Sequence, residues 1–205
     1  MNPYMRIFLI MAGFGTFHSL TAREWVKSAI IDRIGIGRAL FAIIRSATSL
    51  TLLILSLFLL FHDAGKTRLL FSPYYGFRAL IPTFLAFWVA GKALQQVVKD
   101  RRLPQVFGIK EYPKVFFFGG AYRLCRHPMY AGWLIASWGI LLSKPYMLTV
   151  FYNLLLTAYV VFESLQEEKR MIKLFGDRYL TYRAKVPFLI PYGFLKIRET
   201  SQDKE

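Results

Sequence analysis

Apolar residues along this 205-residue chain fall in five long blocks, which are separated by short polar or basic stretches. Blocks of this length and hydropathy are typical of helices that cross a lipid bilayer. The sequence therefore predicts an all-α fold: a polytopic membrane helical bundle of about five transmembrane helices with a cytoplasmic C-terminal helical extension. The predicted spans are residues 7–20, 39–61, 77–98, 128–142 and 146–162.

Connectors and helix ends refine this picture. The link 143–145 is so short that the fourth and fifth spans are predicted to form an antiparallel helical hairpin over residues 128–162. The polar continuation of the fifth span keeps helical spacing as far as Gly176, a residue suited to end a helix. We divide the chain into an N-terminal three-helix membrane region, residues 1–98, and a C-terminal region, residues 99–205, within one integrated domain.

The chain is strongly basic, with a formal net charge of +15, although only 19% of its residues are charged. The Lys and Arg residues lie between the apolar blocks and form no basic helix face, which argues against nucleic acid as a partner. Most of them fall in connectors on one side of the predicted bundle, as the positive-inside rule requires. We therefore predict an integral protein of the bacterial inner membrane, surrounded by membrane lipids, with its N-terminus outside and its C-terminus in the cytoplasm.

The stretch 122–132 (YRLCRHPMYAG) packs a proline, an imidazole, phenols and cations between two apolar segments. Pro128 suits the first position of a helix, so His127 is predicted to lie just outside the helix start. The free N–H groups of such a turn attract an anionic group of a ligand. Gly132 removes a side chain one turn later, where a ligand or another backbone could come close. The stretch is therefore either a ligand-binding corner or a helix start with interfacial residues.

A polar stripe follows the fifth span and its extension. The hairpin places the start of the fourth span, at His127 and Tyr130, beside the end of the fifth. We therefore expect both side chains to approach Glu163 and Glu167. The pair Glu167–Glu168 could equally be solvated or ion-paired on a helix surface. The members of the stripe recur at helical spacing: Asn153, Thr157, Val160, Glu163 or Ser164, and Glu167.

Metal binding and nucleophilic cysteine chemistry find little support. The three histidines, His18, His62 and His127, fall in separate segments and show no ligand spacing, so no metal site is predicted. The chain lacks a Gly-rich phosphate loop and a Gly-x-Ser-x-Gly elbow. The single cysteine, Cys125, is interpreted as a small interfacial residue.

The corner 122–132, the pair Glu167–Glu168 and the segment 174–191 occur in the order and spacing of a known family. On these motifs, residues 105–192 resemble the isoprenylcysteine carboxyl methyltransferase and phospholipid methyltransferase superfamily. The resemblance implies an integral-membrane enzyme that uses S-adenosylmethionine, and on a weaker match it adds backbone contacts from residues 114–117. It assigns the cofactor contacts to Tyr122, His127, Pro128, Met129, Tyr130 and Glu167.

These residue types suit that cofactor. Aromatic faces such as those of Tyr122 and Tyr130 favour a sulfonium cation. A carboxylate such as that of Glu167 can accept hydrogen bonds from amino or hydroxyl groups. Methyl transfer is a direct in-line displacement, so positioning and the exclusion of water are the main tasks of the protein.

A departure from the superfamily bears on the class of methyl acceptor. Glu163 stands where the prenylcysteine enzymes carry an arginine, and it would repel a substrate carboxylate. The stretches 17–20 and 37–41 resemble the bacterial methanethiol S-methyltransferase and NnrU-like branch, which implies a small thiol or another lipophilic acceptor. The candidate catalytic bases are His18 and Glu163, and the candidate substrate contacts are Arg38 and Arg45.

Other interpretations stay open at this point. Within the superfamily, the acceptor could be the carboxyl group of an isoprenylcysteine or the amine of a phospholipid. An NADPH-binding membrane reductase of similar architecture and a non-catalytic membrane assembly protein are the alternatives of other classes. Arg45 could contact a substrate or could extend towards the membrane interface.

Overall fold

The computed structural model describes residues 1–70 and 120–190, together with single helical positions between residues 81 and 95. The described residues form helices and turns, as predicted, and contain no strand. Short 3-10 turns occupy Ala64–Lys66 and Gly120–Arg123. The helices are α1 (Pro3–Thr21), α2 (Glu24–Ile34), α3 (Arg38–Asp63), α4 (Pro128–Ser143), α5 (Met147–Phe175) and α6 (Asp177–Lys185).

The membrane-spanning candidates can be judged by length and composition. Arg38–Lys66, which is α3 with its short continuation, and α5 each meet the criteria of a span. Helices α1 and α2 meet them only together, and they are bent by 80° at the break between them. The described part of the chain therefore holds two candidate spans, or three if the bent pair is one span. The predicted span 77–98 lies mainly outside the described residues, so the number five remains a prediction.

Helix α5 has an apolar first part and a polar last part. Residues 165–175 concentrate charged and amide side chains, and we place them beyond the apolar layer. Gly176 then ends the helix with a positive φ of 53°, a conformation that glycine adopts without strain. The helix end was predicted, but α6, which begins immediately at Asp177, was not.

The bundle is organised around α5, which packs against α1, α3 and α4. The Ser56 hydroxyl lies 3.2 Å from the Tyr152 hydroxyl and links α3 to α5. Trp138 donates from its indole nitrogen to Thr157 Oγ1 at 3.1 Å and links α4 to α5 as an antiparallel hairpin. The apolar centre consists of Ile7, Met11, Leu60, Leu148, Tyr152, Leu156 and Val160.

One end of the bundle is fixed by buried charge and by backbone hydrogen bonds. Asp63 is fully buried and pairs with Lys66 Nζ at 2.6 Å and with Arg6 Nη1 at 3.3 Å. The Leu70 amide donates to the Pro145 carbonyl at 2.8 Å, beside a single antiparallel bridge. The start of α1 and the end of α3 therefore meet the α4–α5 turn, and the opposite end of the bundle holds the start of α4 and the polar end of α5.

The close approach of α1 to α5 depends on Gly15. A Cβ atom at Gly15 would lie 3.2 Å from Tyr159 Cδ2, whereas a Cβ atom at Gly13 would meet open space. We expect Gly15→Leu to lower the free energy of unfolding by about 1–3 kcal/mol, the usual cost of overpacking. Gly13→Leu is the matched control and should be tolerated. Thermal unfolding in one detergent compares them, and equal losses for the two variants would contradict this packing.

Candidate functional site

The corner begins where the sequence predicts, with Pro128 at the first position of α4 and His127 at the N-cap. The His127 side chain makes no capping hydrogen bond and lies buried, with only 6% of its surface exposed. The neighbouring Cys125 is also buried, and burial raises the pKa of its thiol to about 11. A thiol of this kind is a poor nucleophile at neutral pH, so the chemistry of the corner rests on other groups.

The His127 ring lies between two carboxylates of α5. Its Nδ1 is 3.6 Å from Glu167 Oε2, and its Nε2 is 3.4 Å from Glu168 Oε1. Glu168 is buried, whereas Glu167 keeps part of its side chain exposed. The expected approach of His127 to Glu167 is therefore present. Glu163, which was expected at the same corner, instead acts on His18 of α1.

Burial and ion pairing shift the pKa values of His127 and Glu168 in opposite directions. Burial lowers the pKa of His127, but hydrogen bonds to Glu167 and Glu168 outweigh it, so the net direction is upward. Burial raises the pKa of Glu168, but the bonds from His127 and Arg126 outweigh it, so the net direction is downward. The charged forms of the histidine and the carboxylate therefore stabilise each other.

Arg126 ties the corner to the chain that follows α6. Its Nε donates to Glu168 Oε1 at 2.6 Å, and its Nη1 donates to the carbonyls of Arg183 and Val186 at 2.9 and 2.6 Å. Its main-chain amide donates to the Pro187 carbonyl at 2.8 Å. Arg183 adds a second cation, with Nε 3.3 Å from Glu168 Oε2. These roles were not predicted from the sequence, because they depend on contacts between residues far apart in the chain.

Aromatic rings surround the imidazole. The Tyr130 ring lies 5.9 Å from the His127 ring, and the Phe188 ring packs against it edge-on at 5.2 Å. On α6, the Tyr182 hydroxyl donates to the Tyr122 carbonyl at 2.7 Å and holds that part of the corner in place.

The predicted cofactor residues thus occupy one corner and the facing part of α5. Within it, Pro128 is buried, whereas Met129 and Tyr130 are half-buried. The predicted contacts 114–117 lie outside the described residues. The corner 122–132 and the facing residue of α5 together contain the six predicted cofactor contacts: Tyr122, His127, Pro128, Met129, Tyr130 and Glu167.

A second polar group lies among α1, α3 and α5, and we call His18, Arg45, Tyr159 and Glu163 the inter-helix cluster. His18 Nδ1 is 2.6 Å from the Tyr159 hydroxyl. The charges of Arg45 and Glu163 both act on His18. Arg38 begins α3, two turns before Arg45, and its Nη1 is 3.9 Å from Glu24 Oε2 at the α2–α3 junction. Three of the four predicted base and substrate residues therefore come together.

Comparison with known proteins bears on the half of the chain that contains the corner. A sequence model described as phospholipid methyltransferase matches residues 77–178. Residues 77–178 are therefore similar in sequence to the phospholipid methyltransferase family. All the predicted cofactor residues and Glu163 fall inside the matched region, whereas His18, Arg38 and Arg45 precede it.

Individual relatives are methyltransferases of two kinds. A methanethiol S-methyltransferase of Crocosphaera subtropica is 33% identical over 95 residues, which cover 45% of this chain and 36% of the relative. A second, from Pseudomonas deceptionensis, is 35% identical over 72 residues, or 34% of this chain and 26% of the relative. A protein-S-isoprenylcysteine O-methyltransferase of Rattus norvegicus is 30% identical over 110 residues, or 53% of this chain and 36% of the relative. The matches thus cover between about a quarter and just over a third of the length of these relatives. No solved structure matches it significantly.

The coupled charges at the corner predict a pH-dependent stability. Because the folded pKa of His127 is raised, its contribution is complete below the unfolded pKa of about 6.5 and is lost as the pH rises through the folded value. We expect the melting temperature of the parent to exceed that of His127→Gln most near pH 6, and the difference to shrink towards pH 9.

The control for this prediction removes a partner of the histidine. In a Glu168→Gln background, the difference in melting temperature between His127 and Gln at position 127 should depend less on pH. One of the two carboxylates that raise the pKa of His127 is then absent. Thermal unfolding in detergent across the pH series measures both effects. A difference that grows with pH would contradict the assigned ion pairs.

Proposed function

We propose that this protein is an S-adenosylmethionine-dependent integral-membrane methyltransferase that acts on a small thiol or another lipophilic acceptor by in-line methyl transfer. The observation that carries the proposal is the corner itself, where His127 lies against Glu167 within the region matched by the family. Named methyltransferase relatives support the reaction class.

The residues at the corner fit the proposed donor. The His127 side chain makes no capping hydrogen bond, so the first N–H groups of α4 remain suited to an anionic carboxylate. The half-exposed Glu167 can accept hydrogen bonds from amino or hydroxyl groups. The ring of Tyr130, with Tyr122 nearby in the chain, offers aromatic surface for a cation. S-adenosylmethionine supplies, when bound, a methyl group activated on a sulfonium.

The protein's own contribution is to position groups and exclude water. Glu168 fixes the His127 ring from one side, while Phe188 and Tyr130 pack on it from others. Arg126 holds the chain after α6 over the same corner. A rigid, water-poor corner of this kind favours an in-line displacement, which requires no covalent protein intermediate.

The inter-helix cluster is the proposed acceptor side. We assign His18 and Glu163 as candidate bases, and Arg45, with Arg38 at the start of the same helix, as candidate acceptor contacts. Glu163 and Glu167 are four residues apart on α5, which corresponds to about 6 Å along the helix. The two groups therefore lie on one helix face, with the donor side one turn closer to the C-terminus.

Carboxyl methylation of an isoprenylcysteine is the second candidate. Arg45 favours it, because a guanidinium in the inter-helix cluster could pair with a carboxylate. The buried Glu163 in the same cluster opposes it through charge repulsion, and for this reason we prefer a thiol.

The proposed topology places the N-terminus outside and both polar groups towards the cytoplasm of a bacterial inner membrane. Arg23 Nη1 donates to Gln166 Oε1 at 3.2 Å, so the basic α1–α2 break and the polar part of α5 lie at one end. This concentration of basic residues supports a cytoplasmic location for that end.

Donor binding is the first test. Isothermal titration of detergent-purified protein with S-adenosylmethionine should show binding by the parent and about 10-fold to 100-fold weaker binding by Glu167→Gln, since a hydrogen bond to a charged group contributes about 1.5–3 kcal/mol. The matched control is Asp177→Asn, which removes one exposed carboxylate at the same end and should bind as the parent does.

Two results would contradict the donor assignment. A folded parent that fails to bind S-adenosylmethionine would overturn the proposed reaction class. Equal affinity in the parent and Glu167→Gln would leave the reaction class intact and remove this carboxylate from the site.

Glu168→Gln should chiefly lower the melting temperature, because Glu168 anchors Arg126.

A further inference from the structure

The inter-helix cluster contains a histidine whose ring is firmly held. The Phe14 ring stacks on His18 at 5.8 Å and packs against Tyr159 at 5.1 Å. The absence of a side chain at Gly15 allows the Tyr159 ring to approach α1 closely. The short contact of 2.6 Å between the Tyr159 hydroxyl and His18 Nδ1 is therefore supported by packing on both sides.

The direction of this hydrogen bond decides what His18 can do. We assign the phenol as the donor to Nδ1, in which case the neutral ring carries its hydrogen on Nε2. In this tautomer the ring is a hydrogen-bond donor at Nε2, and its remaining lone pair, on Nδ1, is engaged by the Tyr159 hydroxyl. The charges of Arg45 and Glu163, which are opposite in sign, both act on the same ring.

Glu163, unlike His18, offers a hydrogen-bond acceptor to the cluster. Its side chain is buried, with 7% exposed, and its Oε1 has no hydrogen-bond partner within the described part of the chain. The adjacent Ser164 hydroxyl is also buried without a partner there. A buried carboxylate oxygen without a partner is costly, and a ligand that brings a hydrogen to it would remove that cost.

We infer that Glu163 accepts the proton of a thiol acceptor during methyl transfer, and that Tyr159 is a positioning residue that keeps His18 as a hydrogen-bond donor. This inference rests on the proposed methyltransferase function and identifies the acceptor as a protic thiol. It also separates two residues that the sequence left equivalent as candidate bases.

The step balances without any further reactant. The acceptor sulfur forms a bond to the methyl carbon, and the bond from that carbon to the sulfonium breaks, with its electron pair left on the donor sulfur. The thiol proton passes to Glu163 and leaves to water after the methylated product departs. His18 and Arg45 favour the negative charge that develops on the attacking sulfur.

The test compares a thiol that needs a base with one that does not. An aromatic thiol, thiophenol, is largely ionised at neutral pH, whereas an alkyl thiol, butanethiol, is not. In Glu163→Gln, methyl transfer to butanethiol should fall by about 100-fold or more, the usual contribution of a general base. Transfer to thiophenol should stay close to that of the parent. Raising the pH should restore methyl transfer to butanethiol in this variant, because a larger fraction of the thiol is then ionised.

Two measurements without turnover keep folding and binding separate from chemistry. Titration with S-adenosylmethionine should show the affinity of the parent, since Glu163 lies one turn from the proposed donor contacts. Titration with butanethiol in the absence of donor should show that Glu163→Gln still binds the acceptor. Loss of either binding event in a folded variant would contradict a proton-accepting role confined to the acceptor.

Variants of the other two residues separate a base from a donor. His18→Gln cannot act as a base and loses the imidazole donor, so transfer to butanethiol and to thiophenol should fall by a similar factor, whereas loss of a base would lower transfer to butanethiol alone. Tyr159→Phe keeps the ring but loses the hydroxyl, so kcat for butanethiol should fall while donor affinity stays unchanged. Tyr152→Phe is the matched control, because its hydroxyl bonds Ser56 nearer the other end of α5.

Each remaining outcome decides against one part of the inference. Equal losses for both thiols in Glu163→Gln, with donor binding intact, would exclude Glu163 as the proton acceptor. Loss of butanethiol transfer alone in His18→Gln would make His18 the base. Donor binding by a parent that methylates neither thiol would exclude the thiol class, whereas a folded parent without donor binding would overturn the methyltransferase itself.

Discussion

The buried carboxylate of Glu168 is the interaction on which the corner depends. It receives Arg126, Arg183 and His127, which come from the α3–α4 connection, from α6 and from the start of α4. A buried charge is stable only when it is paired and hydrogen-bonded, so these three elements must close around it together. The same closure leaves Glu167, the preceding residue, partly exposed and available to a ligand.

Helix α5 gives this arrangement its length and direction. At one end, its first turn follows the α4–α5 turn, where the Pro145 carbonyl accepts a hydrogen bond from the Leu70 amide. Along its middle, α5 packs against α1 and α3. Its final turns then leave the apolar layer and carry both glutamates of the corner. Sequence alone could predict this course, because the apolar block, the polar stripe and Gly176 all follow helical periodicity.

What the sequence could not predict depends on contacts between distant residues. Periodicity placed Glu163 on the same stripe as Glu167, but only the packing of α1 and α3 shows that Glu163 acts on His18. Tyr159 carried no local signal, since a tyrosine in an apolar helix usually only packs. Helix α6 was missed for a related reason: its nine residues follow a helix-ending glycine and are mostly polar, so hydropathy does not reveal them.

Because Glu163 and Glu167 belong to one continuous helix, α5 fixes the distance between the two polar groups. No hinge lies between them, so under the proposed function a larger or differently charged acceptor could not be accommodated by moving the groups apart. Adaptation would have to come from α1 and α3, which precede the matched region and supply His18 and Arg45. Under that proposal, donor chemistry and acceptor choice could diverge at different rates within one small bundle.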